Sequence, residues 1–95
     1  MTNPNKFDTV PDRLVIRLSA DWAILTDGLQ WIVAKATGSG TRRRWKPLAY
    51  IASTKAALER VLREEGACID TDGARAFSGL PETYREWRRD LSAAA

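Results

Sequence analysis

The fold is decided by one stretch of sequence, WAILTDGLQWIVAKATGSGTRRRWKPLAYI, which covers residues 22–51. Apolar and aromatic residues alternate in it with small or polar ones, as in strands that bury one face. Asp27 and Gly28 together are typical of a two-residue hairpin turn, and Gly38 and Gly40 indicate a second reversal with arginines at its tip. The stretch therefore predicts three antiparallel strands joined by two turns.

The register of the first hairpin follows from its turn. A two-residue turn pairs Ile24 with Trp31 and Trp22 with Val33, so that these four side chains share one face. Cross-strand pairs of aromatic and β-branched residues stabilise sheets. The sequence therefore predicts that both tryptophans belong to the core rather than to a surface that stacks on a ligand.

The third strand places its residues on two sides by simple alternation. One side is predicted to hold Arg43, Trp45, Pro47, Ala49 and Ile51, and the other to hold Arg42, Arg44, Lys46, Leu48 and Tyr50. Proline has no amide hydrogen to donate, so Pro47 predicts an edge strand or a bulge.

A further strand precedes this stretch. Residues 13–19 alternate, and Leu14, Ile16 and Leu18 are predicted to lie on one face. Residues 1–12 contain Asn3, Pro4 and Pro11 and little apolar content, which indicates a flexible N-terminal leader.

Three helices are predicted after the sheet. The first spans residues 54–65, with Ser53 as N-cap, an apolar stripe, and Gly66 as the left-handed residue after its end. A short second helix is predicted between Asp70 and Gly79. The last helix is predicted from Pro81 to about residue 91, and residues 92–95 should fray.

These elements predict a single α+β domain over residues 13–91. We expect an antiparallel β-meander of three to four strands, packed against one main helix, with two short C-terminal helices. The length of 95 residues fits one domain.

The composition argues against catalysis. The chain has no histidine and a single cysteine, Cys68, so the commonest general base and the usual zinc ligands are missing. We therefore predict no enzyme, no metal and no cofactor. No apolar run is long enough to span a bilayer, and no signal peptide is evident, so we expect a cytosolic protein that does not enter membranes.

Charge is concentrated in the centre of the chain. Residues 28–58 contain six basic residues and no acidic one, whereas the remaining sequence has nine basic and twelve acidic residues. The candidate binding residues are Lys35, Arg42, Arg43, Arg44, Trp45 and Lys46. Arginines at a hairpin tip can meet phosphates, and an exposed tryptophan can stack on a base. Arginine and tryptophan also dominate protein–protein hot spots, and a basic edge strand can simply prevent unwanted strand pairing.

The chain also resembles a group of known proteins. The Gln-Trp-Ile hairpin at residues 30–32, the Trp-Lys-Pro strand at residues 45–47 and the serine-capped helix are similar to those of small proteins encoded by phages and prophages. The resemblance covers roughly residues 24–66 and carries no assigned active residues. It implies a short accessory protein, of the kind that binds a host factor or, as anti-CRISPR proteins do, a defence complex.

Together these observations predict a non-enzymatic phage or prophage accessory protein. It would inhibit or modulate a host protein or nucleoprotein complex with an acidic surface, as an anti-CRISPR-like inhibitor, through the basic hairpin. The alternative is a small nucleic-acid-binding module that uses the same hairpin, and a structural component of a virion is a third possibility. Oligomeric state does not follow from the sequence.

Overall fold

The computed structural model describes residues 13–94, with side chains described as far as Asp90. The predicted α+β class is confirmed, with a four-stranded antiparallel sheet and three helices. The elements are β1 (Arg13–Arg17), β2 (Trp22–Thr26), β3 (Trp31–Thr37), β4 (Arg44–Ile51), α1 (Lys55–Glu64), α2 (Thr71–Ser78) and α3 (Tyr84–Ala94). The predicted leader at residues 1–12 lies outside the described residues.

The sheet is a meander in the order β1-β2-β3-β4, so β4 is an edge strand as Pro47 predicts. The helices pack on one face, where both predicted core tryptophans are buried. That cluster consists of Ile16, Leu18, Trp22, Ile24, Trp31, Val33, Ile51, Leu58, Leu62, Leu80 and Tyr84. The opposite face carries a second, smaller cluster of Ala23, Leu25, Ile32 and Ala34, with Trp45 packed against it. We call these the helix face and the open face.

The predicted register of the β2–β3 hairpin is wrong by two residues. Ile24 pairs with Val33 rather than Trp31, and the connection is a four-residue loop over residues 27–30. The Asp27 carboxylate holds this loop: its Oδ1 accepts hydrogen bonds from the amides of Leu29 (2.9 Å) and Gln30 (3.2 Å). Because side chains repeat every two residues in a strand, a shift of two leaves each residue on its predicted face.

Two bulges change the predicted faces of the outer strands. In β1 the register shifts between Leu14 and Ile16, so Leu14 lies on the open face and is 56% exposed. In β4 the extra residue is Leu48, since Ala34 pairs with Pro47 while Val33 pairs with Ala49. The predictions that Leu14 shares a face with Ile16, and that Trp45 and Pro47 share a face with Ala49 and Ile51, are therefore wrong. A bulge inserts one residue into one strand and thereby reverses the alternation beyond it.

Removal of the loop carboxylate gives a pH-dependent prediction. Burial of the carboxyl group raises its pKa, but hydrogen bonds from Leu29 and Gln30 together hold the pKa of Asp27 below its ordinary value. We expect Asp27→Ala to lower the free energy of unfolding at neutral pH by about 0.5–1 kcal/mol, the net value of an ordinary hydrogen bond. This stabilisation is present above the unfolded pKa of about 3.9 and is lost as the pH falls through the folded pKa.

Urea denaturation at neutral pH and at about pH 2 tests this, since the acid value lies below the unfolded pKa. Asp27→Asn is the matched control, because its side-chain oxygen still accepts from both amides but carries no titrating charge. A difference between wild type and Asp27→Ala that is equally large at both pH values would contradict the prediction.

Helix α1 follows the predicted pattern with a corrected cap. Thr54, not Ser53, is the N-cap, and its hydroxyl accepts a hydrogen bond from the amide of Ala57 at 3.1 Å. Leu58 and Leu62 are buried, and Gly66 has the predicted left-handed backbone with φ +74°.

Helix α2 is tied to α1 by polar contacts. The Nζ of Lys55, at the start of α1, donates to the carbonyl oxygens of Ser78 and Leu80, both at 3.1 Å, at the end of α2. The predicted Asp70 cap of α2 is confirmed, since its Oδ1 accepts from the Gly73 amide at 2.7 Å.

Helix α3 begins at Tyr84 rather than at the predicted Pro81. A capping box explains the start: the Thr83 hydroxyl accepts from the Glu86 amide at 3.0 Å, and a Glu86 carboxylate oxygen accepts from the Thr83 amide at 3.2 Å. The amides of Lys55 and Tyr84 donate to the carbonyls of Glu82 and Ser53, which joins the starts of α1 and α3.

Candidate binding surface at the basic end of the sheet

Six cationic side chains lie at one end of the sheet. The pairs Arg17 with Ala23 and Trp22 with Lys35 show that the β1–β2 turn and the β3–β4 hairpin occupy the same end. We call this the basic end and define it by Arg17, Lys35, Arg42, Arg43, Arg44 and Lys46. Five of these cations are predicted from the sequence, and Arg17 is the one that sequence reasoning missed. Sequence reasoning missed Arg17 because only the register of the sheet shows that the end of β1 lies at the same end as the β3–β4 hairpin.

The charge of the sheet differs from that of the helices. Residues 13–54 contain seven basic and two acidic residues, whereas residues 55–94 contain seven basic and eight acidic ones. One of the two acidic residues of the sheet region, Asp27, lies in the loop at the opposite end. The other, Asp21, lies in the β1–β2 turn at the basic end. The sheet region is therefore strongly cationic, and the helical layer is weakly anionic.

Arg43 is the cation that Asp21 neutralises. Its Nη2 lies 2.9 Å from the Asp21 carboxylate and also donates to the carbonyl oxygen of Ala20. These contacts fix the hairpin against the β1–β2 turn. Arg43 is thus a structural residue, and its predicted role in binding an external partner is not favoured by this geometry.

Lys35, Arg44 and Lys46 form a cationic array on the helix face. Lys35 pairs directly with Lys46 across the two strands, and Arg44 follows two residues away from Lys46 on the same face. All three side chains are exposed, and none of the ion pairs within residues 13–90 involves them. Like charges directly opposite each other destabilise a sheet. The array is therefore a place where a bound anion would relieve repulsion.

One contact orients this array. The Nζ of Lys35 lies 5.4 Å from the centre of the Trp22 ring, which is 5% exposed. A cation over an aromatic face is attracted by the ring quadrupole. This contact draws the Lys35 ammonium group toward β2 and away from Lys46 on β4, while the Lys35 side chain stays exposed.

Trp45 points to the other side of the sheet. It pairs with Ala36, packs against the cluster of the open face and is half-buried. The guanidinium carbon of Arg17 lies 5.9 Å from the ring centre. Ala23 and Ala34 lie on the two strands between β1 and β4, so no large side chain separates Arg17 from Trp45. Trp45 is thus engaged within the protein and separated by the sheet from the cationic array.

Arg42 lies at the tip of the hairpin. The tip is a 3₁₀ turn at Gly40–Arg42, closed by hydrogen bonds from the Arg42 amide to the Ser39 carbonyl (2.9 Å) and from the Arg43 amide to the Gly40 carbonyl (3.2 Å). The Arg42 side chain is exposed. The tip therefore presents its charge from an ordered turn.

A groove between α1 and α2 lies apart from the basic end. Its volume is about 500 Å³, and its lining is mainly apolar with a charged rim. The lining residues are Glu59, Leu62, Arg63, Ala67, Ile69, Ala74, Phe77 and Ser78. Within the described part of the chain, no three His, Cys, Asp or Glu side chains lie together as metal ligands would. No helix there has the length and apolarity needed to cross a bilayer.

Comparison with known proteins adds nothing to what the geometry shows. No family model, no curated protein and no solved structure matches this chain.

Proposed function

We propose that the protein is a non-enzymatic binding module that docks on an anionic macromolecular surface through the basic end. The observation that carries this is the exposed pair of Lys35 and Lys46, which face each other without an acidic partner among the described residues. Such a pair lowers folding stability through charge repulsion, which a bound external anion relieves. Arg42 and Arg44 extend the same charge toward the hairpin tip.

The biological setting of this proposal comes from the resemblance of residues 24–66 to phage and prophage proteins. In that setting the protein is an accessory factor that acts in the host cytosol. It inhibits or modulates a host protein or nucleoprotein complex with an acidic surface, as an anti-CRISPR-like inhibitor of a defence complex does. The basic end supplies the charge that steers such a module to its partner.

The alternative of a nucleic-acid-binding module rests on a different observation. Trp45 and Arg43 are engaged within the protein, so the accessible part of the basic end is charge without an apolar anchor. Interfaces with nucleic acids are much more positively charged than those between proteins. This observation favours phosphates over an apolar protein pocket as the contact.

An affinity capture from host lysate, with and without nuclease, tests the proposed function. The variant changes Arg42, Arg44 and Lys46 to Glu and leaves Arg43 in place, because Arg43 stabilises the hairpin. The matched control changes Arg60, Arg85 and Arg89 to Glu, three exposed side chains on the helices. Both variants have the same net charge, since each change of sign removes two units from the wild-type charge of +3.

We expect wild type and the helix control to capture the same principal partner, and the hairpin variant to lose it. Capture of that partner by all three proteins would show that the basic end is not the contact surface. Equal loss from both variants would show that only net charge matters, and would also contradict the proposal.

A further inference from the structure

We infer that the partner surface is the phosphodiester backbone of a nucleic acid, held by Lys35, Arg44 and Lys46 without contact to the bases. This inference rests on the proposed function and names the partner class for the same site. It makes the nucleic acid itself the ligand, and an acidic protein surface becomes an outcome of the test.

The geometry of the array fits a row of phosphates. Alternate residues of a strand lie about 7 Å apart, which sets the separation of Arg44 and Lys46 along β4. Neighbouring phosphates of one nucleic-acid strand are separated by a similar distance. Lys35 lies directly across from Lys46, about 5 Å away at the Cβ atoms, but its ammonium group leans over Trp22 on β2, away from β4, so the two lysines can contact different phosphates. The edge position of β4 leaves this row open along one side.

The accessible part of the basic end lacks the aromatic anchor that is typical of a protein interface. The centre of such an interface is depleted of lysine and is built on buried aromatic or arginine anchors. At the basic end Trp45 and Arg43 are engaged within the chain, which leaves Arg42 and Arg44 as exposed arginines beside two lysines and no exposed aromatic anchor. Three of the large exposed apolar side chains, Leu14, Leu29 and Tyr50, lie toward the opposite end of the sheet.

Base stacking does not contribute to this mode of binding. Trp45 is on the open face, packed against the cluster there with Arg17 over its ring, whereas the cationic array is on the helix face. One strand of nucleic acid on the array therefore does not reach the Trp45 ring. Binding should be independent of base sequence and dominated by counterion release.

Fluorescence anisotropy with a labelled DNA duplex of arbitrary sequence tests the inference. For a duplex, each phosphate contact adds about −0.9 to the slope of log K against log salt concentration, so three contacts give about −3. We expect Lys35→Ala with Lys46→Ala to reduce the magnitude of this slope by about 2. The matched control, Arg60→Ala with Arg85→Ala, should leave the slope unchanged.

The strandedness of the probe provides a second readout that needs no variant. A contact with phosphates alone should favour the duplex over a single strand with the same number of phosphates, because the duplex has the higher charge density. Tighter binding to the single strand would indicate stacking and would overturn the inference.

Failure of this inference is distinguishable from failure of the proposed function. A wild-type slope near zero, with a captured partner that is insensitive to nuclease but lost in the hairpin variant, overturns the nucleic-acid inference and leaves the proposed function in place. A duplex affinity that is unchanged in the double lysine variant also overturns it.

Discussion

We expect Gly73→Ala to lower the free energy of unfolding by about 3 kcal/mol, at the upper end of the cost of overpacking a core. In a helix interior this substitution normally stabilises, because alanine has the higher helix propensity. Here the sign is reversed by a close backbone contact. A Cβ atom at Gly73 would lie 2.7 Å from both the Cα and the carbonyl carbon of Leu18, and closer still to its carbonyl oxygen.

A side-chain rotation cannot relieve this contact, because the atoms that the new Cβ would meet are main-chain atoms of Leu18. The amide of Asp70, the N-cap of α2, donates to the Leu18 carbonyl at 2.9 Å, so the helix is fixed at this point to the residue that follows β1. The added methyl group must push α2 away from the sheet or break this hydrogen bond. For a domain of this size, a loss of 3 kcal/mol lowers the melting temperature by about 12–24 °C.

The matched control is Gly79→Ala at the other end of the same helix. Gly79 has φ −83°, and a Cβ there would meet the Ala76 carbonyl oxygen at 3.4 Å. We expect this control to change stability by less than about 0.5 kcal/mol. Thermal and urea unfolding followed by circular dichroism measure both variants. Equal melting temperatures for the two variants would show that α2 does not pack on Leu18 through Gly73.

The layout of the sheet was predictable because it depends on a period of two. The sequence places Trp22, Ile24, Trp31 and Val33 on one face, and the structure buries all four there. The register itself was predicted incorrectly, because Asp27 accepts hydrogen bonds from two amides and widens the loop to four residues. A two-residue slip is invisible to a pattern that repeats every two residues.

The alternation pattern could not predict the bulges. Pro47 indicated either an edge or a bulge, and β4 has both, but the extra residue is Leu48. In β1 nothing in the sequence distinguishes the bulge beside Leu14 from regular alternation. A bulge is decided by the pairing of two strands, which a pattern along one strand does not contain.

The candidate site was predictable as a list of residues but not as a surface. The five predicted cations and Trp45 do lie at one end of the sheet. The sequence could not show that Asp21 neutralises Arg43, since 22 residues separate them. Nor could it show that Arg17 lies over Trp45 from a strand three places away. These contacts engage Arg43 and Trp45 within the protein and leave the cationic array on the helix face without such partners.

Thr26→Val is the second substitution with a large expected effect. Thr26 is 4% exposed, and its hydroxyl donates to the Gln30 carbonyl at 2.8 Å and accepts from the Gly28 amide at 3.1 Å. The hydroxyl of buried Tyr84 is 2.8 Å away, 58 residues further along the chain. A threonine hydroxyl has one hydrogen, and Thr26 donates it to the Gln30 carbonyl oxygen. The Tyr84 hydroxyl must therefore donate to the Thr26 hydroxyl oxygen. This oxygen therefore joins β2, the β2–β3 loop and α3.

We expect Thr26→Val to lower the free energy of unfolding by about 2–3 kcal/mol, because it leaves a buried tyrosine hydroxyl and two loop groups without their partner. Tyr84→Phe should cost only about 1 kcal/mol, since it keeps the ring contact with Trp31 and leaves Thr26 with two hydrogen bonds.

The double variant tests this account directly. Removing both hydroxyls leaves no orphaned tyrosine, so Thr26→Val with Tyr84→Phe should be no less stable than Thr26→Val alone. Urea unfolding of the wild type, both single variants and the double variant completes the cycle. If the costs of the two single substitutions simply add, the Tyr84 hydroxyl does not depend on Thr26, and the link between α3 and the sheet must lie in the packing of Tyr84 against Trp31 and Trp87.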